Sequence, residues 1–464
     1  MTVEAGIYQK KQGYLQNSVL LLLAFATAFF PRILESVGAP APVNFLHFAI
    51  VPPACIYVII TARSKDRRQV AATAALLVGL LIFLGVMTAS ALLNEAGLIN
   101  VFISYLLLVE GYILLLAIIS VPFSAESFQR FRRWMLGFAL VHLILAMGQK
   151  ILLDLRILEL QADLTREDNI QGVFYISGGG HVVSAFVYMS FGLYYFVSAK
   201  SVPVWIRSAI VLVAFFLLVS ADAKQVLMVF LLAWIILILL SVKDIRVTLQ
   251  YLIAAAVIGY VLYWCIQNLY EFRAFKTWIR PEIYGPDGDA TVLKSGPFRI
   301  IPSYYTSGLN WFFGLGPGHT IGRLGGWMLV DYGYLLMPLG GTIHPASNAV
   351  WATWRGYYLD SSFFSPLWGW AGIWGDTGFL GLAAYLYIVS IIWQRLCIDD
   401  FCKFILITVL INGFIFTQLE EPGYMLTMTA LIGLRWQEHR IERRSRYILA
   451  QQALYSVDSS VKTI

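Results

Sequence analysis

The sequence predicts an all-α polytopic membrane protein with about 12 transmembrane helices. Its 464 residues are 59% hydrophobic and only 13% charged, and their mean hydropathy is +0.72. A soluble globule needs more polar surface than this composition supplies. Two further observations support the fold class: runs of about twenty apolar residues, and Lys and Arg concentrated in the short connections between those runs.

Windows of about 20 apolar residues, the length that crosses the hydrocarbon core, define the candidate spans. In chain order they lie at 16–34, 44–61, 69–93, 97–120, 134–153, 180–199, 204–221, 224–241, 248–266, 367–393, 401–418 and 423–437. Because no internal repeat or low-complexity linker divides the chain, residues 1–464 are predicted to form a single membrane domain. The amino end has no small-residue cleavage site and is interpreted as the tail of a retained first helix.

The positions of the basic residues predict the orientation, because cytoplasmic connections carry an excess of Lys and Arg. With twelve spans these residues all fall on one side, at Lys10, Lys11, 62–68, Arg130, Arg132, Arg133, Lys200, Lys243, Arg246, Arg435, Arg440, Arg443, Arg444 and Arg446. Both termini are therefore predicted to be cytoplasmic, with 438–464 forming a basic tail on the anionic inner leaflet and not a nucleic-acid-binding segment. The loops at 154–179 and 267–366 then face outward.

Two predicted helix beginnings on the outer side have the features of an anion site, because a helix amino end has unpaired N–H groups and a positive dipole. Gly178, Gly179, Gly180 and His181 precede span six, and Lys224 lies at the head of span eight. The alternative is that Lys224 extends to the membrane interface and that the glycines only form a turn.

The outer loop between spans 9 and 10 contains further candidates for phosphate binding and acid-base chemistry. Arg299, His319 and Arg323 lie in the stretch 296–326, and His344 and Arg355 lie in 340–358. The planar fork of arginine suits phosphate oxygens, and histidine can take a proton from a hydroxyl near neutral pH. The alternative for each histidine is an ordinary surface or packing role.

The remaining candidates are two tyrosines, an aspartate at the beginning of span ten, and ionisable residues within spans. Tyr304 and Tyr305 have flat faces that suit sugar rings, although an interfacial aromatic belt would use the same residues. Span ten opens with glycines three residues apart, which predicts an irregular beginning where Asp376 faces a wet cavity or caps a turn. The residues Glu110, His142 and His47 lie within spans, where an ionisable group is costly unless it is paired or hydrated.

The stretch from Gly172 to Leu382 resembles the bacterial O-antigen ligase and polymerase superfamily, whose members are polytopic glycosyltransferases with a large periplasmic loop between late spans. GVFYISGGGHVVSAF is similar to the family's glycine-rich beginning of a middle span, with His181 where Asn is common. SADAKQVLM resembles its Ser-Gly-Ser-Arg segment, with Lys224 replacing arginine, and FRIIPSYYTSGLNWFFGLGPG places Arg299 at a matching arginine. WGDTGFLG resembles its Glu-Thr-Gly pattern, with Asp376 at the acidic position; His344 lies farther upstream than the histidine of many members.

The resemblance implies a GT-C-like helical fold and an inverting glycosyl transfer without metal or cofactor, from a polyprenyl pyrophosphate-linked oligosaccharide to an acceptor hydroxyl. The reaction would occur at the outer face of the bacterial cytoplasmic membrane. Lys224 and Arg299 would stabilise the pyrophosphate leaving group, and His344 would activate the hydroxyl. The residues expected to bind substrate are Arg323, Arg355, His181, His319, Asp376, Tyr304 and Tyr305.

Polymerisation of repeat units is the first expected activity, because a long aromatic loop could hold a growing saccharide. Ligation of a finished glycan to a lipid core or a protein is the second. A flippase or other transporter of lipid-linked oligosaccharide is the third, favoured by the many spans and by Glu110 within one of them. The expected partners are the lipid-linked donor, membrane lipids, and chain-length regulator or export proteins.

Overall fold

A computed structural model describes residues 16–64, 66–158, 160–161, 164–175, 179–240, 245–269, 272, 276, 281–355 and 365–461. Within these ranges the chain forms helices and no strand, which confirms the all-α class. The α-helices are α1 (Asn17–Phe29), α2 (Pro31–Ser36), α3 (Leu46–Thr61), α4 (Arg67–Leu93), α5 (Leu98–Ser120), α6 (Ala125–Asp154), α7 (Gly180–Ser198), α8 (Val204–Ser220), α9 (Lys224–Leu240), α10 (Ile245–Asn268), α11 (Pro281–Tyr284), α12 (Asp289–Ile300), α13 (Asn310–Phe313), α14 (Leu329–Asp331), α15 (Gly333–Leu336), α16 (Pro345–Arg355), α17 (Gly369–Arg395), α18 (Asp400–Asn412) and α19 (Pro422–Val461).

Several helices have the length and composition of membrane spans. Seven such helical segments occur within the described ranges: Ala41–Thr61, Arg67–Leu93, Leu98–Ser120, Ala125–Asp154, Gly180–Ser198, Leu249–Asn268 and Gly369–Arg395. The apolar helices α1, α8 and α9 are shorter. The protein is therefore a membrane protein, and each of the twelve predicted spans overlaps a helix. The count of twelve and the GT-C arrangement remain predictions.

Helix boundaries differ from the predicted spans where polar residues or proline decide them. The first predicted span is divided into α1 and α2 at Pro31, which has no N–H to continue the helix and instead opens the second one. Helix α6 begins nine residues before its predicted span, because Ser124 caps it through a reciprocal pair of hydrogen bonds with Ser127. A hydropathy window excludes such a polar first turn.

The centre of the bundle is the contact between α5 and the first half of α19. Their backbones approach closely at Gly111, where an added Cβ atom would lie 2.9 Å from the carbonyl oxygen of Met425. Tyr112 and Met425 are almost completely buried beside this point. By contrast, α4 and α6 turn many large apolar side chains outward, as expected of helices that face lipid.

The bundle has two ends, which we call the loop end and the tail end. At the loop end, α11–α16 fold over the ends of the long helices, so this part of the predicted loop at 267–366 is itself largely helical. At the tail end, the start of α4 meets the end of α5 through a hydrogen bond from Gln69 Nε2 to the Ile119 carbonyl (2.6 Å). Arg440 of α19 reaches the same region, donating to the Phe123 carbonyl at 2.8 Å.

Replacement of Gly111 tests the close contact between α5 and α19. A Gly111→Leu substitution should destabilise the fold by about 1–3 kcal/mol or more, because its side chain must displace backbone of α19. Gly85→Leu is the matched control, since an added Cβ at Gly85 has no neighbour within 4 Å. Thermal unfolding in detergent should show a lower midpoint for Gly111→Leu alone, and equal midpoints for the two variants would contradict the packing.

Candidate functional site

The loop end is organised by a break in α17. Gly378 has φ 65° and ψ −164° inside the helix, a conformation that favours glycine, and an added Cβ there would lie 2.3 Å from the carbonyl carbon of Phe312. Two carbonyls freed by the break accept loop N–H groups: Gly375 from Leu315 (2.9 Å) and Asp376 from Gly316 (3.0 Å). The loop backbone thus supplies the hydrogen-bond donors for these two helix carbonyls. The irregular beginning predicted for this span is confined to one residue, Gly378.

The side chain of Asp376 binds the same loop. Its carboxylate accepts hydrogen bonds from the N–H groups of Gly318 (2.8 Å) and Thr320 (2.9 Å) and from the Thr320 hydroxyl. Asp376 is 7% exposed and Thr320 is completely buried. Of the two roles that the sequence left open, the geometry corresponds to capping a turn.

The loop that Asp376 binds continues to Arg323, which contacts two glutamates between α18 and α19. The backbone N–H of Arg323 donates to the carboxylate of Glu420, and the Arg323 guanidinium pairs with Glu421. The pKa of Glu420 is raised to about 8, mainly by burial and also by the charge of Asp376, although the hydrogen bond from the Arg323 N–H lowers it. Glu420 is therefore mostly protonated at pH 7.

Arg323 also lines a small polar cavity of about 40 Å³ beside α2 and α3. Arg32, Asn44, His47 and Glu421 face the same space. Arg32 pairs with Glu35 (2.9 Å), so both arginines already have a carboxylate partner. A phosphate group would have to compete with these partners, and the volume suits water better than a headgroup.

His47, which lines this cavity, pairs with a second ionisable residue, Glu110. His47 Nδ1 lies 2.7 Å from Glu110 Oε2, and the two residues are 3% and 2% exposed. The other carboxylate oxygen of Glu110 is buried and has no partner within the described part of the chain. The pairing that the sequence required for Glu110 is therefore present. His142 lies elsewhere, with its ring nitrogens near the Ser184 carbonyl and the Val173 N–H.

His319 is held by neutral groups on both sides. Its Nδ1 donates to the Leu315 carbonyl and its Nε2 accepts from the Thr342 hydroxyl, both at 2.8 Å. Asn100 of α5 joins the two segments, because its amide binds the carbonyls of Pro317 and Thr342. Burial, together with the nearby His344, lowers the pKa of His319. This histidine is fully hydrogen-bonded, which fits a packing role.

His344 is less buried and lies directly before α16. Its ring stacks on His319 with centroids 5.3 Å apart, and it contacts the edge of Tyr304 at 5.6 Å. Nδ1 accepts the N–H of Ala346 (3.1 Å), so the neutral ring carries its proton on Nε2. Burial lowers the pKa of His344, which keeps the ring neutral at pH 7.

An apolar groove of about 930 Å³ lies near these residues. It runs along α17 between residues 370 and 393, roughly 35 Å at the helical rise. Every lining residue is apolar, and five are tryptophans: Trp311, Trp368, Trp370, Trp374 and Trp393. The indole N–H groups of Trp368 and Trp370 donate to backbone carbonyls, so their polar edges are satisfied.

Helix α12 lies at the loop end of this groove. Phe298 lines the groove, and the carbonyl of Lys294 accepts the Trp368 N–H at 3.3 Å. Burial lowers the pKa of Lys294 to about 7. Arg299 is exposed, and its guanidinium donates to the Val292 carbonyl of the same helix (3.0 Å). Two basic side chains, Lys294 and Arg299, therefore lie near one end of the apolar groove.

Adjacent tyrosines connect the groove to His344. Tyr304 contacts the His344 ring, and Tyr305 packs against Trp311 (5.1 Å) and Trp374 (6.5 Å) of the groove wall. The Tyr305 hydroxyl is buried and has no partner in the described structure. Two consecutive residues of the chain thus contact the histidine and the aromatic wall.

Lys224 and His181 form a second, separate cluster. Lys224 pairs with Asp222 (2.6 Å), and His181 lies 3.3 Å from Asp168. Burial raises the pKa of Asp222, and the bond from Lys224 lowers it. In the described part of the chain no hydrogen bond or ion pair joins this cluster to Arg299 or His344. The three predicted catalytic residues thus lie in different local environments.

The structure brings some predicted residues together and adds others. His319, His344, Tyr304 and Tyr305 form one group at the loop end, and Asp376 anchors the loop beneath them. The side chain of Arg355 lies outside the described residues. Sequence reasoning missed Lys294, Arg32, Glu420 and Asn100. Lys294 could have been found from its position five residues before Arg299, whereas the other three are recognisable only from their contacts.

No group of His, Cys, Asp and Glu side chains in the described ranges could hold a metal ion. Comparison with known protein families and with curated proteins finds no match for this chain. The function of the protein is therefore inferred from the geometry of the site and from the sequence resemblance to the O-antigen ligase and polymerase superfamily.

Replacing Asp376 should release the loop from α17. Asp376→Ala leaves three buried donors without their acceptor and should cost about 1–3 kcal/mol or more. Hydrogen exchange at residues 315–320 should accelerate, with a smaller effect in Asp376→Asn, which keeps one oxygen. The control is Asp331→Ala, an exposed position on α14. Unchanged exchange in Asp376→Ala would show that the carboxylate does not hold the loop.

The raised pKa of Glu420 predicts a dependence of stability on pH. The folded state holds the proton up to about pH 8, whereas an unfolded glutamate releases it near its ordinary pKa of 4.5. The folded state therefore binds more protons in this window, and the free energy of unfolding should fall as pH rises through it. Glu420→Gln should flatten that fall in thermal unfolding curves. A wild-type slope retained by this variant would assign the effect to another group.

Proposed function

We propose that this protein is a metal-independent inverting glycosyltransferase that transfers a glycan from a polyprenyl pyrophosphate donor to an acceptor hydroxyl. Polymerisation of repeat units is the first candidate activity, and ligation to a lipid core or a protein is the second. The proposal places the loop end at the outer face of the bacterial cytoplasmic membrane and both termini in the cytoplasm. The observation that carries it is the apolar groove with cationic residues near one end.

The groove has the dimensions and chemistry of a binding site for an isoprenoid chain. Its length of roughly 35 Å is comparable with the hydrocarbon thickness of about 30 Å. Its lining includes Phe379, Leu386 and Phe414, which are 50%, 43% and 59% exposed, so a lipid chain could enter from the side. A water-soluble sugar would find no polar partner along this wall, whereas an apolar chain gains from burial there.

The leaving group of such a donor would meet the cations of α12. Arg299 has only a neutral carbonyl partner in the described structure, so its charge is available to pyrophosphate oxygens. Lys294, whose pKa is lowered to about 7 by burial, would be held in its charged form by a nearby anion. These groups act where negative charge develops, which lowers the barrier to bond cleavage.

The chemical step is a displacement at the anomeric carbon. The acceptor oxygen forms the new bond, and the bond to the pyrophosphate oxygen breaks with its electron pair remaining on the leaving group. The hydroxyl proton passes to neutral His344, which becomes an imidazolium. Since Nε2 already carries a proton in the neutral ring, the accepting atom is Nδ1, and its hydrogen bond from Ala346 must open first.

The alternative from another functional class is a transporter of lipid-linked oligosaccharide. It is favoured by the buried pair of His47 and Glu110, because ionisable pairs inside a membrane often form proton pathways. A transporter would move the lipid-linked substrate and leave its covalent structure unchanged. A transferase would produce a new glycosidic bond and free polyprenyl pyrophosphate.

The decisive assay supplies purified full-length protein in detergent with a lipid-linked oligosaccharide and an acceptor glycan, and measures longer products by mass spectrometry. Arg299→Ala, Lys294→Ala and His344→Ala should each reduce transfer by about 10²-fold, the usual loss when a charge-stabilising group or base is removed. Lys150→Ala is the control, because Lys150 pairs with Asp154 at the loop end and does not line the groove. A donor with a two-isoprene chain should react more slowly than the full-length donor.

Two outcomes would contradict the proposal. Intact donor after incubation with every acceptor tested would reject a transferase, and donor movement across proteoliposomes would then favour transport. Equal rates for the short and long donors would reject the groove as the lipid site, even if transfer occurred.

A further inference from the structure

A second cavity, of about 330 Å³, lies at the tail end between the start of α4, the end of α17 and the middle of α19. Its polar lining is almost entirely basic and consists of Arg68, Arg395, His439, Arg440 and Arg443. We propose that this cavity binds a phosphate-bearing anion, either the headgroup of an anionic phospholipid or a soluble phosphate compound. The inference is independent of the proposed function, because the cavity lies at the opposite end of the bundle from His344.

Arg440 gives the strongest support. It is 7% exposed, and its guanidinium contacts Gln437 (2.8 Å), Gln69 (3.4 Å) and the Phe123 carbonyl (2.8 Å). All three partners are neutral, and no carboxylate forms an ion pair with it in the described part of the chain. A buried charge of this kind is costly unless an opposite charge lies close.

The surrounding charges do not supply that counterion. Asp66 lies 3.4 Å from Arg443 and is the one carboxylate paired with a cavity arginine among the described residues. Two acidic residues of α19 are occupied elsewhere, Glu438 by Arg132 and Arg435 and Glu442 by Arg446. Burial and the neighbouring Arg443 and Arg444 lower the pKa of Arg440, whereas Asp66 raises it. Four guanidiniums thus face a single carboxylate.

The shape and lining suit a phosphate group. Guanidinium groups bind phosphate oxygens through two parallel hydrogen bonds, and arginines from α4, α17 and α19 can approach one anion from three sides. Trp436, Ala71, Ala72 and Ile398 form an apolar part of the wall, which suits the carbon atoms next to a phosphate ester. The volume is at the lower limit for a small-molecule site, large enough for a headgroup or a small metabolite.

The test uses full-length protein in nanodiscs and separates the two sources of phosphate. One arm compares nanodiscs of phosphatidylcholine alone with nanodiscs that also contain phosphatidylglycerol. The other arm keeps phosphatidylcholine and adds inorganic pyrophosphate or glycerol 3-phosphate, with sodium chloride of equal ionic strength as the blank. Each arm records the thermal unfolding midpoint, because a ligand that binds only the folded state raises it, and bound lipid is counted by native mass spectrometry.

Two variants change the cavity in different ways, one in its charge and one in its volume. Arg68→Gln with Arg395→Gln removes two exposed charges of the lining, and Ala71→Phe fills the space without changing charge. Arg130→Gln with Arg133→Gln is the control, because it removes the same charge from exposed positions outside the lining. Both cavity variants should weaken the apparent affinity by about tenfold or more, while the control retains wild-type binding.

The outcome assigns the ligand or rejects the site. Cavity-dependent binding in the phosphatidylglycerol arm identifies a lipid site, and cavity-dependent binding in the soluble arm identifies a site for a free phosphate compound. If neither probe binds in a way that the two cavity variants reduce, the proposal is wrong. Equal losses in the control would likewise overturn it, since they would reflect net charge alone.

Discussion

The break in α17 at Gly378 is the constraint on which the loop end depends. A helix interrupted within a membrane domain leaves carbonyls without partners, and these must be satisfied by protein because lipid offers no donors. Here the N–H groups of Leu315 and Gly316 satisfy them, and Asp376 binds Gly318 and Thr320 in turn. The loop is therefore fixed to the bundle by buried hydrogen bonds, so that a rigid element positions its side chains.

That attachment divides the polar residues of the loop end by role. Asp376, Asn100 and His319 direct their polar atoms to backbone or to Thr342, and they determine the path of the chain. His344 and Arg299 are more accessible, and their partners are neutral groups that a ligand could replace. Residues with saturated hydrogen bonds specify a fold, whereas those with replaceable partners can serve chemistry.

The two ends of the bundle also differ in how charge is balanced. At the loop end most cations have carboxylate partners, as Arg323 has Glu421 and Lys224 has Asp222. At the tail end, the arginines that line the cavity outnumber the carboxylates paired with them. The sequence shows this excess as the positive charge that orients a membrane protein, but only folding gathers arginines from three helices around one cavity.

The sequence alone determined the all-α membrane class and the approximate position of each long helix, because hydropathy over about twenty residues reflects the thickness of the bilayer. It also identified His344, Tyr304, Tyr305 and Asp376 as residues of interest, but not their contacts. Only the tertiary structure decided that Asp376 anchors the loop, that Lys224 pairs with Asp222 and that Arg299 binds a carbonyl of its own helix. It also decided that Trp311 joins Trp368, Trp370, Trp374 and Trp393 in one groove. The physical reason is that hydropathy is a local property, whereas hydrogen-bond partners and cavities arise between segments that are far apart in the chain.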